Sequence, residues 1–280
     1  MSVTTTVAEL RELLASDAPP LVLDVRWALG DPHGHGHYAD GHIPGAVYVD
    51  LDRELAAPPS AEGGRHPLPA LADLQAAARR WGLREGQRIV VHDDLGNTAA
   101  ARAWWLLRYA GVAQVTLLDG ALGAWRAAGL PLESGIPVDP PPGDVVLRSG
   151  GLPVTDADGA AELAVTGLLL DARAGERYRG EVEPVDARAG HIPGAVSAPT
   201  GENLAADGVF LPPDVLRKRF EEKGAGAASR IGVYCGSGVT AAHQIAALEI
   251  AGFEAVLFPG SWSAWSADPA RPAATGPSPS

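Results

Sequence analysis

One residue dominates the chemistry open to this chain. Cys235 is the sole cysteine among 280 residues, and it begins the run Cys235-Gly236-Ser237-Gly238-Val239-Thr240. An apolar run, Arg230–Tyr234, precedes it and an alanine-rich segment of helical spacing follows, so the pattern predicts a strand, a tight glycine-containing loop and a helix. Glycines let successive backbone N–H groups turn inward, and the helix N-terminus adds partial positive charge. All of these stabilise an anion at the centre of the loop, which favours a thiolate nucleophile over a packing thiol. Other residue types narrow the reaction. A phosphatase with its cysteine in a backbone cradle needs an arginine at the sixth position after it, where this chain has Ala241. A disulfide oxidoreductase needs a second cysteine, and a cysteine protease needs a histidine base. A lone thiolate ringed by N–H donors is suited to carrying extra sulfur, because the resulting persulfide is also anionic.

The elements that must position this loop occur twice. GHIPGAV stands at Gly41–Val47 and again at Gly190–Val196, preceded by LVLDVRW in one case and LLLDARAGERYRG in the other. IVVHDDLGNTAAAR from Ile89 aligns with IGVYCGSGVTAAHQ from Ile231, and Leu117–Trp125 aligns with Leu257–Trp265. The order is kept, so the chain is a duplication. Asp93 stands where the second half has Cys235, an anion in an anion cradle but no sulfur nucleophile. One half is therefore expected to be catalytic while the other keeps the architecture. Short apolar runs (LVLDV, RIVVH, QVTLLD; GLLLDA, RIGVYC, EAVLF) read as buried strands. Helical spacing covers Val7–Ser16, Leu71–Trp81, Ala99–Tyr109, Pro213–Lys223 and Val239–Ala251. The alternation predicts an α/β fold, each half a small parallel sheet flanked by helices on both faces, with active loops at the carboxyl ends of the strands. The expected boundaries are 7–135 and 152–268, joined by a proline-rich linker at 136–151 and followed by a flexible tail at 269–280.

On the paired GHIPGAV motifs, DVRW at Asp24–Trp27, WWLLRYAG at Trp104–Gly111 and CGSGVTA at Cys235–Ala241, the chain resembles the tandem-domain sulfurtransferases of the rhodanese superfamily, from about Val7 to Trp265. The resemblance implies two tandem rhodanese-like domains, the cysteine only in the second, and a small anionic sulfur donor, thiosulfate or 3-mercaptopyruvate. It implies a thiol or thioredoxin-like acceptor and no cofactor. The CGSGVT loop resembles the mercaptopyruvate type; thiosulfate types carry basic residues after the cysteine. It also implies a relay of Ser237 with His66, in His66-Pro67-Leu68-Pro69, and Asp52, in Val49-Asp50-Leu51-Asp52. Arg177, in Glu176-Arg177-Tyr178-Arg179, matches the arginine that holds the donor carboxylate, a task suited to a guanidinium. The second family arginine is missing, since Glu183-Pro184 is followed by Val185 and Asp186; Arg179 and Arg188 are the candidates to replace it. Trp27 is expected near the substrate. Two alternatives stay open: thiosulfate as the main donor, and a non-catalytic sulfur carrier or interaction protein.

The remaining composition sets the context. A hydrophobic share of 46% with 20% charged residues supports a real core, and the net charge of −12 argues against general nucleic-acid binding. No run approaches the roughly 20 apolar residues of a membrane span, the start MSVTTTVAEL lacks a secretory pattern, and a single cysteine suits a reducing compartment, so a cytoplasmic protein is expected. His33, His35 and His37 alternate in a glycine-rich loop without acidic or thiol partners at ligand spacing, so no metal site is expected. His42 and His191, inside the repeated motif, are expected to hydrogen-bond backbone around its turn. Trp104, Trp105 and Trp125 are expected in the core.

Overall fold

Runs of consecutive apolar residues such as Leu21–Leu23, Ile89–Val91 and Leu168–Leu170 pack best where both faces of a sheet are covered, which is the situation of strands in a parallel sheet. The computed structural model, which describes residues 2–279, places them there. By packing, the described residues divide into two units: 2–57 with Pro69–Leu152 and Ala205–Phe210, and Pro58–Leu68 with Pro153–Leu204 and 211–279. A stretch of each half of the sequence thus packs with the other half's unit.

In the first unit the order is β1 (Thr4–Thr5), α1 (Val7–Leu14), β2 (Leu21–Asp24), α2 (Gly34–Asp40), β3 (Val47–Tyr48), α3 (Leu51–Glu54), α4 (Leu71–Arg80), β4 (Ile89–His92), α5 (Ala100–Tyr109), β5 (Val115–Leu118) and α6 (Ala121–Ala127). Its strands form one parallel sheet ordered β1-β5-β4-β2-β3. The second unit runs α7 (Ala157–Thr166), β6 (Leu168–Asp171), α8 (Gly175–Tyr178), β7 (Val196–Ser197), α9 (Pro213–Glu222), β8 (Ile231–Tyr234), α10 (Thr240–Ile250), β9 (Val256–Leu257) and α11 (Ser261–Ala267), with a parallel sheet ordered β7-β6-β8-β9. The central pairs match between units, Asp24 beside His92 and Asp171 beside Tyr234. One face of each sheet packs on a repeated pair of helices. Val22, Val90 and Leu118 meet Leu10 of α1 and Leu122 and Trp125 of α6, while Leu169 and Tyr234 meet Leu163 of α7 and Trp262 and Trp265 of α11. On the other side, α5 packs on β4 and β5, and α10 on β8 and β9. The expected α/β class and parallel sheets are therefore observed. Trp104, Trp105 and Trp125 are buried.

The repeated motifs explain how each strand end is fixed. Asp24, at the end of β2, receives Arg26 at 2.7 and 3.0 Å, and the same guanidinium donates to the Gly41 carbonyl at 2.8 Å. Asp171 and Arg173 repeat this, with the Gly190 carbonyl at 2.6 Å. His42 and His191 stack on Tyr38 and Tyr178, centroids 4.0 and 3.8 Å apart, and their Nδ1 atoms lie 2.9 and 2.8 Å from the carbonyls of those tyrosines. The tyrosine hydroxyls donate to the Ala46 and Ala195 carbonyls at 2.6 and 2.8 Å. A buried salt-bridged arginine and a Tyr–His stack thus clamp each GHIPGAV turn onto its sheet.

Two segments outside the sheets are held in place. The proline-rich stretch 136–151 lies against the first unit: the Gly143 and Arg148 amides donate to the Arg79 and Ala110 carbonyls at 2.8 and 2.9 Å, and Val145 and Leu147 are buried. The stretch 269–280, expected to be a flexible tail, is tied to the second unit. Ala274 and His191 exchange backbone hydrogen bonds at 2.8 and 3.0 Å, Gly276 donates to the Arg179 carbonyl, and Trp265 donates to the Pro272 carbonyl at 2.7 Å. Ser280 lies outside the described residues. Among the described residues no helix is long and apolar enough to cross a membrane.

Candidate active site

The loop between β8 and α10 is built within the second unit. Its backbone must reverse in a short span, and Gly238 does this at φ +80, a region costly for residues with a Cβ. A methyl group there would also run into the Pro259 carbonyl. The start of α11 holds the loop from outside: the Trp262 and Ser263 amides donate to the Cys235 and Gly236 carbonyls, both at 2.9 Å. The Cys235 amide donates to Ser261 Oγ at 3.1 Å. Cys235 is buried, and the Gly238 N–H points at its Sγ from 3.1 Å. The thiol therefore sits inside the loop with an amide aimed at it, not in an aliphatic pocket turned away from the amides.

The first unit displays what this loop does with an anion. Asp93 follows β4 as Cys235 follows β8, and it is fully buried. Its Oδ1 accepts from the Leu95 and Asn97 amides at 2.8 and 2.7 Å, and its Oδ2 from the Ala99 and Ala100 amides at 2.9 and 3.1 Å. Burial pushes this carboxyl up from its ordinary pKa, and the four amide donors pull it back. With Gly96 aligned on Gly238, these four donors correspond by position to Ser237, Val239, Ala241 and Ala242, while the amide that meets Sγ in the structure is that of Gly238. The outer anchor is repeated as well: Ala121 and Ser261 both have φ of 53, and the Leu122 amide donates to the Asp93 carbonyl at 2.9 Å.

Ser237 and His66 meet in the second unit, Oγ to Nδ1 at 2.7 Å, both buried. His66 belongs to Pro58–Leu68, the stretch of the first half that packs with the second unit. Asp52 lies in the first unit, where its Oδ1 accepts the Trp27 indole N–H at 3.0 Å. Arg177, on α8, is tied by one amino group to Glu183 at 2.6 Å and to Asp186 at 3.2 Å. Burial works against the Glu183 carboxylate, yet hydrogen bonds from Arg177 and from the Asp186 and Val185 amides hold it below its ordinary range. Burial pushes the Asp186 carboxyl up, against the pull of Arg65 and with the push of Glu183.

Of the two sequence candidates for the second arginine, Arg188 is not offered to a ligand. Arg188 donates to the carbonyls of Trp265, Ser266, Asp268 and Arg271 at 2.7–3.0 Å, so its guanidinium is consumed in holding the segment after α11. Arg179 pairs with Glu181 at 2.8 Å on the surface. The guanidinium beside the loop is that of Arg65, which sequence reasoning missed. A methyl group built on Gly236 would lie 3.1 Å from Arg65 Nη2 and 3.4 Å from Arg177 Nη1, so both cations crowd the residue after the cysteine. Arg65 is paired with Asp186 and its amide donates to Ser263 Oγ at 3.1 Å. The signal available was its place in Gly63-Gly64-Arg65-His66, with two glycines beside a motif already singled out. The histidine segment, read from its glycines as a loop, forms α2 with His33 just before it; His37 Nε2 lies 2.9 Å from Asp31, and no group of three metal-ligating side chains occurs among the described residues.

The site has close relatives. The rhodanese-like domain family matches residues 6–128 and 156–268. A Mycobacterium tuberculosis protein carrying the name thiosulfate sulfurtransferase SseB is 50% identical over 276 residues, 97% of this chain and 96% of that protein. A Pseudomonas aeruginosa protein carrying the name 3-mercaptopyruvate sulfurtransferase is 49% identical over 268 residues, 93% of this chain and 94% of that one. The crystal structure of a 3-mercaptopyruvate sulfurtransferase from Escherichia coli superposes with a TM-score of 0.81 at 31% identity, covering 94% of this chain and all of that one. The chain belongs to the rhodanese family and is a sulfurtransferase of its two-domain type.

Proposed function

We propose that this sulfurtransferase transfers the sulfur of 3-mercaptopyruvate to a thiophilic acceptor, carrying it as the outer, sulfane sulfur of a persulfide on Cys235. The thiolate attacks the donor sulfur, the carbon–sulfur bond breaks, and its electron pair leaves on carbon as the enolate of pyruvate. The Ser237–His66 pair delivers the proton that quenches the enolate. The persulfide's outer sulfur takes the place that the Asp93 carboxylate holds in the first unit, facing the amides of Ser237, Val239, Ala241 and Ala242. An acceptor thiolate, small or on a thioredoxin-like protein, then attacks that sulfur, and the Cys235 thiolate leaves. The observation that carries the reading is the four-amide grip on Asp93 in a loop whose twin holds Cys235.

Thiosulfate is the second reading. Two guanidinium groups beside Gly236 favour it, as does the name of the mycobacterial relative. Side-by-side assays with product detection decide between them: pyruvate release with mercaptopyruvate should exceed thiocyanate formation from thiosulfate and cyanide. Intact mass after donor exposure should show one added sulfur on the chain and none on Cys235→Ser, which should keep its fold and lose turnover. A chain that takes up no sulfur from either donor is a non-catalytic module, and the proposal fails.

A further inference from the structure

We propose that Ser263, in the first turn of α11, is a positioning residue for the proton relay: it ties the segment carrying His66 to the loop carrying Cys235, so that the imidazole stays on Ser237 while the enolate is quenched. This deepens the sulfur-transfer reading above and rests on it. One buried residue makes both ties. The Ser263 amide donates to the Gly236 carbonyl at 2.9 Å, next to the nucleophile. Its Oγ accepts the Arg65 amide at 3.1 Å, next to His66. The hydroxyl's own proton goes to the Gly260 carbonyl at 3.0 Å, which leaves the oxygen as an acceptor for the segment. The group held is the main-chain amide of Arg65; the guanidinium takes no part.

The segment is shaped to be held at this point. Ser60 and Gly64 exchange backbone hydrogen bonds at 3.0 and 2.9 Å, closing a tight turn, and the Gly63 amide donates to Ser60 Oγ at 2.9 Å. Gly64 has φ of +77, and a Cβ there would overlap Ser263 Oγ and the Gly260 carbonyl, so bare backbone runs against the start of α11. Two residues on, His66 Nδ1 lies 2.7 Å from Ser237 Oγ. The first unit uses another group for the matching task. Gly123 stands where the second unit has Ser263, and the segment received there, Ala205–Phe210, is held by the Phe210 amide donating to Asp119 Oδ1 at 3.0 Å. The hydroxyl therefore occurs in the copy that has the nucleophile. A proton donor must stay within about 2.6–3.2 Å of its partner, and a displacement of about 1 Å can cost about a hundredfold in rate.

Two sulfur donors separate a relay defect from a general one. Taking sulfur from 3-mercaptopyruvate breaks a carbon–sulfur bond and leaves an enolate that must gain a proton. Taking sulfur from inorganic tetrasulfide breaks a sulfur–sulfur bond and leaves the trisulfide dianion, which needs none. In the full chain, Ser263→Ala should lower kcat for pyruvate release on the order of tenfold with KM within about twofold, while Cys235 loads sulfur from tetrasulfide, followed by intact mass, within about threefold of the native rate. Gly64→Ala, which pushes the segment off the same oxygen, should reproduce the selective loss. An equal loss with both donors in Ser263→Ala, or no loss with either, overturns the positioning role and leaves the sulfur-transfer reading standing. Failure of the unmodified chain to release pyruvate from 3-mercaptopyruvate overturns both. Should Ser263→Ala not fold, hydrogen exchange of the unmodified chain decides: the Arg65 amide should exchange at least about a hundredfold slower than an unstructured one, and exchange at the unstructured rate refutes the tie.

Discussion

The sharpest check on the loop chemistry is made in the half of the chain that has no cysteine. Asp93→Asn keeps the shape of the side chain, removes its charge and turns one carboxylate oxygen into a donor. Whichever way the amide is turned, two of the four backbone N–H groups now at 2.7–3.1 Å lose their acceptor, and the other two meet a neutral oxygen. A hydrogen bond to a charged group contributes about 1.5–3 kcal/mol and a neutral one about 0.5–1.5, so the gross loss is about 5–9 kcal/mol. Relief from burying a charge returns several kcal/mol, leaving a net cost of about 3 kcal/mol. That is a large share of an ordinary domain's stability of about 5–15 kcal/mol. Because the chain has two units, a single unfolding midpoint is ambiguous, and peptide-resolved hydrogen exchange is the better assay. Peptides covering Asp93 to Tyr109 should exchange on the order of a hundredfold faster in Asp93→Asn, while peptides of the second sheet keep their rates. Exchange within threefold of the native rate across the loop and α5 would mean that these amides do not converge on a charge. The comparison with the Cys235 loop would then lose its footing.

Three further outcomes are expected. Gly238→Ala should lose about 2 kcal/mol or more by thermal unfolding and most of its turnover, because φ of +80 costs a residue with a Cβ about 1–2 kcal/mol before the clash with the Pro259 carbonyl is counted. Asp93→Cys in a Cys235→Ser background should gain the mass of one sulfur atom on exposure to a small polysulfide, read by intact mass; no uptake would mean that the cradle alone does not make a sulfur site. Burial pushes the His191 pKa below 6.5, so the folded chain holds the ring neutral while the unfolded chain binds the proton. Its contribution to stability is full above pH 6.5 and declines as pH falls through the folded value; replacing His191 with Phe should flatten that part of a pH–stability profile.

What could be read in advance follows from how local each feature is. The nucleophile, its glycines and the strand–loop–helix around it are contiguous, and the duplication supplied a second copy against which to check the register. The strand runs were legible because a doubly covered sheet demands uninterrupted apolar residues, as in Leu21–Leu23 and Leu168–Leu170. Arg188 was misread for the opposite reason. The carbonyls that consume its guanidinium belong to Trp265, Ser266, Asp268 and Arg271, far along the chain, and no local pattern announces them. Arg65 was overlooked although it adjoins His66, since its meaning depends on Asp186 and Gly236 arriving beside it. The stretch 269–279 has the composition of a free end, but partners such as the His191 backbone and Pro272's neighbour Trp265 hold it down.

The grouping of Pro58–Leu68 with the second sheet has a consequence for how such a protein can be divided. A gene cut in the proline-rich stretch would seem to free an autonomous sulfur-handling module, because everything from the nucleophile's own strand to its outer helix would survive. The product would lack the imidazole that meets Ser237 and the guanidinium beside Gly236. Because Ala205–Phe210 likewise packs with the first unit, a cut between the two halves of the sequence takes residues from both units.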